Sequence, residues 1–322
     1  MTRAAAVILA LSVLALAVAH LVLPLDPMIA LRRSDPATAT LLLTQLRLPR
    51  TMLVLGYGAV LGTTGAALQA VFANPLASPD ITGSSSGAAL GAVLAGYWFG
   101  MTGPIALAAC GGAGAIVALA LLLTLAGRSA AGPSLLLAGL AISLAAGAAT
   151  SLVLALAPSP FAFYDSFEWL MGSFVDRSLP QAAVALLPAA ICCLLLLRRA
   201  RALDLMALGE DVVASLGYRP RRMGIEIVAL SGVAIGACVS VCGAIGFVGL
   251  IGPYAGRLMT RGHPGRALVP SGAIGGALLL LADLAVRFGP AGRTIPVGVL
   301  TTVAGTPLFV WMVIRMRTRV AA

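Results

Sequence analysis

Lysine is absent from this sequence: all 21 of its Lys+Arg residues are arginine. A Walker-type nucleotide loop sets a lysine on the phosphates, so the chain is not itself a P-loop ATPase. Charge of either sign is scarce. Only 10% of the 322 residues are charged, against about 25% in a soluble domain. Hydrophobic residues make up 60% and the mean hydropathy is +1.03, which excludes a soluble globular protein and describes a polytopic membrane protein. The net charge of +10 does not point to nucleic acid, because the arginines flank apolar segments, as membrane topology requires. Five cysteines (Cys110, Cys192, Cys193, Cys238 and Cys242) all lie in apolar runs without metal-ligand spacing and read as small packing residues. No metal or other cofactor is expected.

What is present is apolar length. At about 20 residues per bilayer crossing, the spans fall near 4–25, 52–72, 84–99, 104–126, 134–156, 181–197, 224–242, 247–261, 267–288 and 296–314. That gives an all-α chain of about ten transmembrane helices, the third and eighth being short or Gly-interrupted. Arg3 and Ala17-Val18-Ala19 resemble the flanks of a signal peptide, but the run continues to Leu25 and is long enough to span. With the N-terminus inside, arginines 3, 128, 198, 199, 201, 219, 221, 222, 257, 261, 266, 315, 317 and 319 are cytoplasmic. Arginines 32, 33, 47, 50, 177, 287 and 293 are then outside. Both termini are therefore expected in the cytoplasm. The outer loop carrying Arg32, Arg33, Arg47 and Arg50 is the exception to the positive-inside rule, and cations kept there call for an acidic partner.

Few ionisable residues remain for other transport classes. An ion-coupled secondary transporter, the alternative reading, needs a relay. Only Glu226, near a span end, and Asp283, with Arg287 one turn on as an ion-pair partner, are available. His20 and His263 fall on opposite sides of the predicted membrane and cannot form one hydrolytic site. Between spans two and three, Asn74-Pro75-Leu76-Ala77-Ser78-Pro79-Asp80 reads as a tight cytoplasmic turn, with ATPase contact as a second possibility. The Gly/Ala/Ser-rich stretch from Gly83 suits close helix packing more than substrate contact. Gly58/Gly62 and Gly232/Gly236 form matching patterns in oppositely directed spans, a hint of two related halves. In 198–223, Leu205, Leu208, Val212 and Leu216 recur as the stripe of one short amphipathic helix that Gly217 stops. It serves either as an interfacial anchor or as a knob for a partner.

Six stretches occur in the order of one family: residues 47–95, containing RLPRTM and NPLASPDITGSSSG; LLLAG (135–139); WLMGS (169–173); ALGEDVVASLG (207–217); GAIGFVGLIGPYAGRL (243–258); and IPVGVLTTVAGTPLFVW (295–311). The chain thereby resembles the permease subunits of binding-protein-dependent ABC importers for iron-siderophore, haem and cobalamin. The resemblance implies a single permease domain over 1–322 in the bacterial inner membrane. It further implies a homodimer with a central pathway, two cytoplasmic ABC ATPase subunits and a periplasmic substrate-binding protein. It assigns ATPase coupling to the segment near 202–223, with Leu208, Gly209, Glu210, Ala214 and Gly217. Glu210 meets a cation of the partner or merely favours a helix N-terminus. Binding-protein docking falls to Arg47, Arg50 and Arg287; otherwise Arg47 and Arg50 serve lipid headgroups and Arg287 serves Asp283. Two departures from the family pattern, Tyr254 where members often carry His and Thr294 where they often carry Glu, weaken assignment of the cargo. A ferric siderophore is expected first, with haem or cobalamin as further candidates.

The purified chain alone is expected neither to bind nor to hydrolyse ATP. Hydrolysis that persists after every partner subunit is removed would contradict the assignment.

Overall fold

The computed structural model describes residues 2–101, 103–127, 132–157, 169–289 and 295–320. Among these the chain is helical, without strands. In order come α1 (Arg3–Val22), α2 (Leu25–Ser34) and α3 (Pro36–Leu41), which runs through a π-helical stretch, Leu42–Arg47, into α4 (Leu48–Val71). After a 3-10 turn at Pro79–Thr82 follow α5 (Ser84–Tyr97), α6 (Pro104–Ala126), α7 (Gly132–Ala155) and α8 (Leu179–Arg198). Two short helices, α9 (Ala200–Met206) and α10 (Glu210–Ser215), precede α11 (Pro220–Cys242), α12 (Val248–Met259), α13 (Pro264–Arg287) and α14 (Val297–Val320).

All ten expected apolar segments are helical, but they are not ten full spans. Eight helices among the described residues are long and apolar enough to cross a membrane. The other two, α5 with 14 residues and α12 with 12, reach only about 20 Å at 1.5 Å per residue, short of the roughly 30 Å hydrocarbon core. Both are packed among longer helices, α5 against α6, α7 and α11, and α12 against α4 and α13. The longer helices cover much of their flanks, although Trp98 and Phe99 just past α5 and Leu258 in the last turn of α12 stay exposed.

Helix α4 is the centre. Leu53, Val54, Tyr57, Leu61, Ala66 and Leu68 are buried along its whole length. Its closest neighbour is α13, and the reason is the absence of side chains. A Cβ on Gly62 would meet the backbone of Ser271, and one on Gly58 would meet the backbone of Gly275. Lipid supplies no hydrophobic drive between helices, so small residues that let backbones touch create the association. The contact is antiparallel, and its register continues two turns further to bring Arg50 opposite Asp283. The second pattern, Gly232/Gly236 of α11, also lies in an antiparallel contact, against Leu119 and Ala115 of α6.

Two local expectations are amended. The segment after α4 does turn tightly, the Ala77 amide donating to the Asn74 carbonyl at 3.1 Å and the Leu76 amide to Asn74 Oδ1 at 2.9 Å, but it does not stay at the helix end. It folds back along the bundle until Pro79 packs on Gly249, whose missing side chain also admits the carbonyl of Leu61. Leu61 lies ten residues, or about 15 Å, before the end of α4. Irregular backbone is tolerated there because protein surrounds it, and Ser143 of α7 donates to the Asp80 carbonyl at 2.9 Å. The second correction concerns 205–216, which is two helices rather than one. Gly209 breaks them with φ of +96°, a conformation open to glycine and strained for other residues.

Candidate functional site

One end of the bundle gathers the tips of α1, α4 and α13 around a single carboxylate. The side chain of Asp283 is fully buried, and Arg50 grips it with both arms of a fork: Nε donates to Oδ2 and Nη2 to Oδ1, each at 2.9 Å. Arg287, one turn along α13, donates Nε to Oδ2 at 3.2 Å. His20 of α1, also fully buried, places Nε2 2.8 Å from the same oxygen. On its other side His20 Nδ1 lies 2.8 Å from Thr51 Oγ1, whose hydroxyl donates to the Arg47 carbonyl at 2.8 Å. Arg287 closes the arrangement, giving Nη1 to the His20 carbonyl at 2.8 Å and setting Nη2 3.1 and 3.3 Å from the two ring nitrogens. A buried carboxylate is costly unless donors saturate it. Here four donor contacts from three residues do so.

Arg47 acts next to this cluster. Its Nη1 donates to the carbonyls of Val22 at 2.7 Å and Leu21 at 3.3 Å, capping the last turn of α1 with a cation where the helix dipole favours one. A cavity of about 310 Å³ opens there, lined by Arg47, Arg50, Arg287, Asp176, Leu23 and Pro24 among others. Three guanidinium groups against the two carboxylates of Asp283 and Asp176 leave the cavity net positive. Its chemistry suits a further anionic oxygen. The side chains of Arg50 and Arg287 remain 17% and 10% exposed, against 0% for Asp283, so within this pairing the cations face the opening, which Asp176 also lines.

The structure thus brings Arg287 beside Arg47 and Arg50, from which it is far removed in sequence. It also realises the Asp283–Arg287 pair, and adds Arg50 to it. His20 and Thr51 were not anticipated. A lone histidine in an otherwise apolar helix was the available signal, and only the fold shows what it faces. The other two arginines of the loop, Arg32 and Arg33, lie exposed in the last turn of α2, away from the cluster. Asp35 then caps α3, accepting from the Ala37 and Thr38 amides at 3.1 Å. The Thr38 hydroxyl bonded to it holds its carboxyl below the ordinary aspartate value.

A second surface lies at the opposite end. Leu208, Val212, Leu216 and Tyr218 are all exposed around α10, while Val213 is fully buried and anchors it. Gly217 follows with φ of +82°, the left-handed residue that ends the helix. No atom lies within 4 Å of where a Cβ would stand on Gly209 or Gly217. Ala214 is likewise exposed; the side chain of Glu210 lies outside the described residues. This surface is tied to the bundle through α9, whose Asp204 accepts from the Gly265 amide at 2.9 Å and so caps the start of α13. The Arg199–Glu226 pair nearby, at 2.7 Å, is about half exposed and adds little. His263 sits at this end, remote from His20. Of the two family departures, Tyr254 stacks edge-on against Trp311 with ring centroids 6.5 Å apart; Thr294 lies outside the described residues.

Comparison with known proteins is consistent across methods. The profile of the FecCD transport family matches residues 6–315. The vitamin B12 import system permease protein BtuC of Citrobacter koseri is 37% identical over 289 residues, covering 87% of this chain and 85% of the relative. The protein of that name from Salmonella typhimurium is 37% identical over 288 residues, with the same coverage. A solved structure described as an inward-facing conformation of a metal-chelate type ABC transporter superposes with a TM-score of 0.84 at 30% identity. It covers 95% of this chain and 97% of that one.

Proposed function

The chain belongs to the FecCD transport family and is the membrane permease subunit of a binding-protein-dependent ABC importer, and on that premise we propose how it docks, couples and what it carries. It is non-catalytic: ATP hydrolysis resides in a separate ATPase subunit. Two copies pair about a two-fold axis that holds the pathway, with both termini in the cytoplasm. That orientation is supported by the excess of arginines on the side carrying 198–223 and turns the Asp283 end outward.

The observation that carries the docking reading is the cationic cavity. Arg47 and Arg50, with Arg287 beside them, receive a carboxylate from each lobe of a periplasmic binding protein. A guanidinium presents a planar fork that orients an acid as well as attracting it. The cavity occurs once per subunit, which suits a bilobed partner. Coupling uses the opposite surface. Leu208, Gly209, Glu210, Ala214 and Gly217 seat in a cleft of the ATPase, where the exposed Leu208, Val212 and Leu216 supply apolar contact. ATP-driven closure of the ATPase pair then moves the helices beside the axis.

The cargo is a metal chelate. The run of vitamin B12 import permeases at 37% identity moves cobalamin ahead of the ferric siderophore that family membership by itself suggested. Haem fits less well, since no His, Met and Tyr cluster with ligand spacing marks the spans.

Three outcomes are expected. Reversing Arg47 and Arg50 to Glu abolishes the stimulation of ATP hydrolysis by the binding protein, read as stimulated minus basal rate, and an acid-to-arginine change on that protein partly restores it. Undiminished docking by the double variant at physiological salt refutes the docking reading, since screening already weakens exposed pairs there. Gly217→Trp loses uptake while the chain still inserts. A Cβ on Gly217 meets nothing within 4 Å and the positive φ strains the backbone by only on the order of 1 kcal/mol, so wild-type uptake with normal ATPase co-purification rules out the coupling role. Finally, proteoliposomes with the full transporter and its binding protein accumulate labelled cobalamin; uptake of a ferric siderophore alone would reassign the cargo.

A further inference from the structure

The docking reading assigns no task to Asp283 and His20, although both are fully buried and together make most of the contacts at the outer end. We propose that they are positioning residues for docking: Asp283 fixes the directions of Arg50 and Arg287, and His20 fixes Asp283, so that the cations meet an incoming carboxylate already oriented. The inference rests on the docking reading and goes beyond it.

An unpaired arginine side chain has many rotamers, and holding it in one geometry at the moment of binding costs entropy. Asp283 removes that cost by engaging Nε and Nη2 of Arg50 at 2.9 Å each, which leaves Nη1 without a bond to the carboxylate and the guanidinium plane defined. Arg287 is constrained further, through Asp283 and through the His20 carbonyl at 2.8 Å. The carboxylate itself has a free rotation, and this is what His20 stops. Its Nε2 takes Oδ2 at 2.8 Å, and its Nδ1 is held at 2.8 Å from Thr51 on α4, so the ring bridges two helices and cannot swing. His20 is the one buried residue of α1. The first helix therefore contributes to the outer face one ring, placed where it sets the carboxylate.

Positioning and plain electrostatics predict opposite signs for one substitution. Asp283→Asn removes a negative charge beside the arginines, so on charge alone an acidic partner should bind faster and more tightly. If Asp283 positions them, docking weakens in spite of the added positive charge. The measurement is the dissociation constant and association rate of the cognate binding protein on the assembled transporter, permease with its ATPase subunits, at two salt concentrations. We expect Asp283→Asn to weaken docking by about tenfold, a scale set by the loss of one charge-assisted fork. His20→Leu should weaken it several-fold, and His20→Gln, whose amide can donate to Oδ2, should recover most of that loss. Docking that is unchanged or tighter in Asp283→Asn overturns the proposal. If Asp283→Asn fails to co-purify with the ATPase, the His20 pair decides: equal affinities of His20→Leu and the unaltered transporter overturn it. Arg50→Glu is measured alongside. If that variant docks normally, the docking reading itself fails; if it abolishes docking while Asp283→Asn does not weaken it, the positioning claim alone falls.

Discussion

A carboxylate without water must be surrounded by donors, and the way Asp283 meets that demand organises one whole end of the molecule. Its two oxygens accept from Arg50 on α4, from Arg287 on its own helix and from the His20 ring on α1. Three helices that are joined by no short loop here are thereby fixed at one point. The consequence is greatest for α1. Its outer face exposes Val7, Ile8, Leu11, Leu14 and Val18, as a lipid-facing helix should, and His20 is what it buries. Arg47 reinforces the attachment by capping the last carbonyls of α1.

Small residues make that interaction possible. Arg50 and Asp283 can meet only if α4 and α13 run antiparallel in one register, and the register is set two turns away, where Gly58 and Gly62 lie on the backbone of Gly275 and Ser271. A side chain at either glycine would separate the helices and, with them, the charged pair. Packing and electrostatics are thus parts of one arrangement. The same helix, α13, begins under the cap from Asp204, next to the surface around Leu208 and Leu216, and ends at Asp283 and Arg287. One continuous 24-residue helix therefore runs from the helix that carries this surface to the buried carboxylate at the other end.

Much of this was legible in the residue order. Apolar length located all ten helical segments, because the energetics of burial in lipid act on a run of residues irrespective of what they pack against. Arginines on the wrong side of the predicted membrane drew attention to the end where Arg47, Arg50 and Arg287 meet, since the positive-inside rule is local to each loop. The short helices were harder. Nothing in 84–97 or 248–259 states that other helices will cover them, so they read as weak spans. The stripe of Leu205, Leu208, Val212 and Leu216 likewise read as one helix, because periodicity cannot detect that Gly209 adopts positive φ. The return of Pro79 to Gly249 depends on a glycine 170 positions later in the chain.

The sequence by itself determined the class of molecule and the family, and it singled out the two ends to which docking and coupling are proposed. Composition, the absence of lysine and the ordered motifs are properties of a string and need no contacts. The tertiary structure decided what each charged residue does. A carboxylate four residues from an arginine in one helix announces a local pair, yet it has oxygens to spare, and which further donors reach them depends on which helices lie alongside. Only the glycine-set register of α4 on α13 brings Arg50 to Asp283, and only the path of α1 over that joint turns His20 from an isolated polar residue into the ring that holds the carboxylate in place.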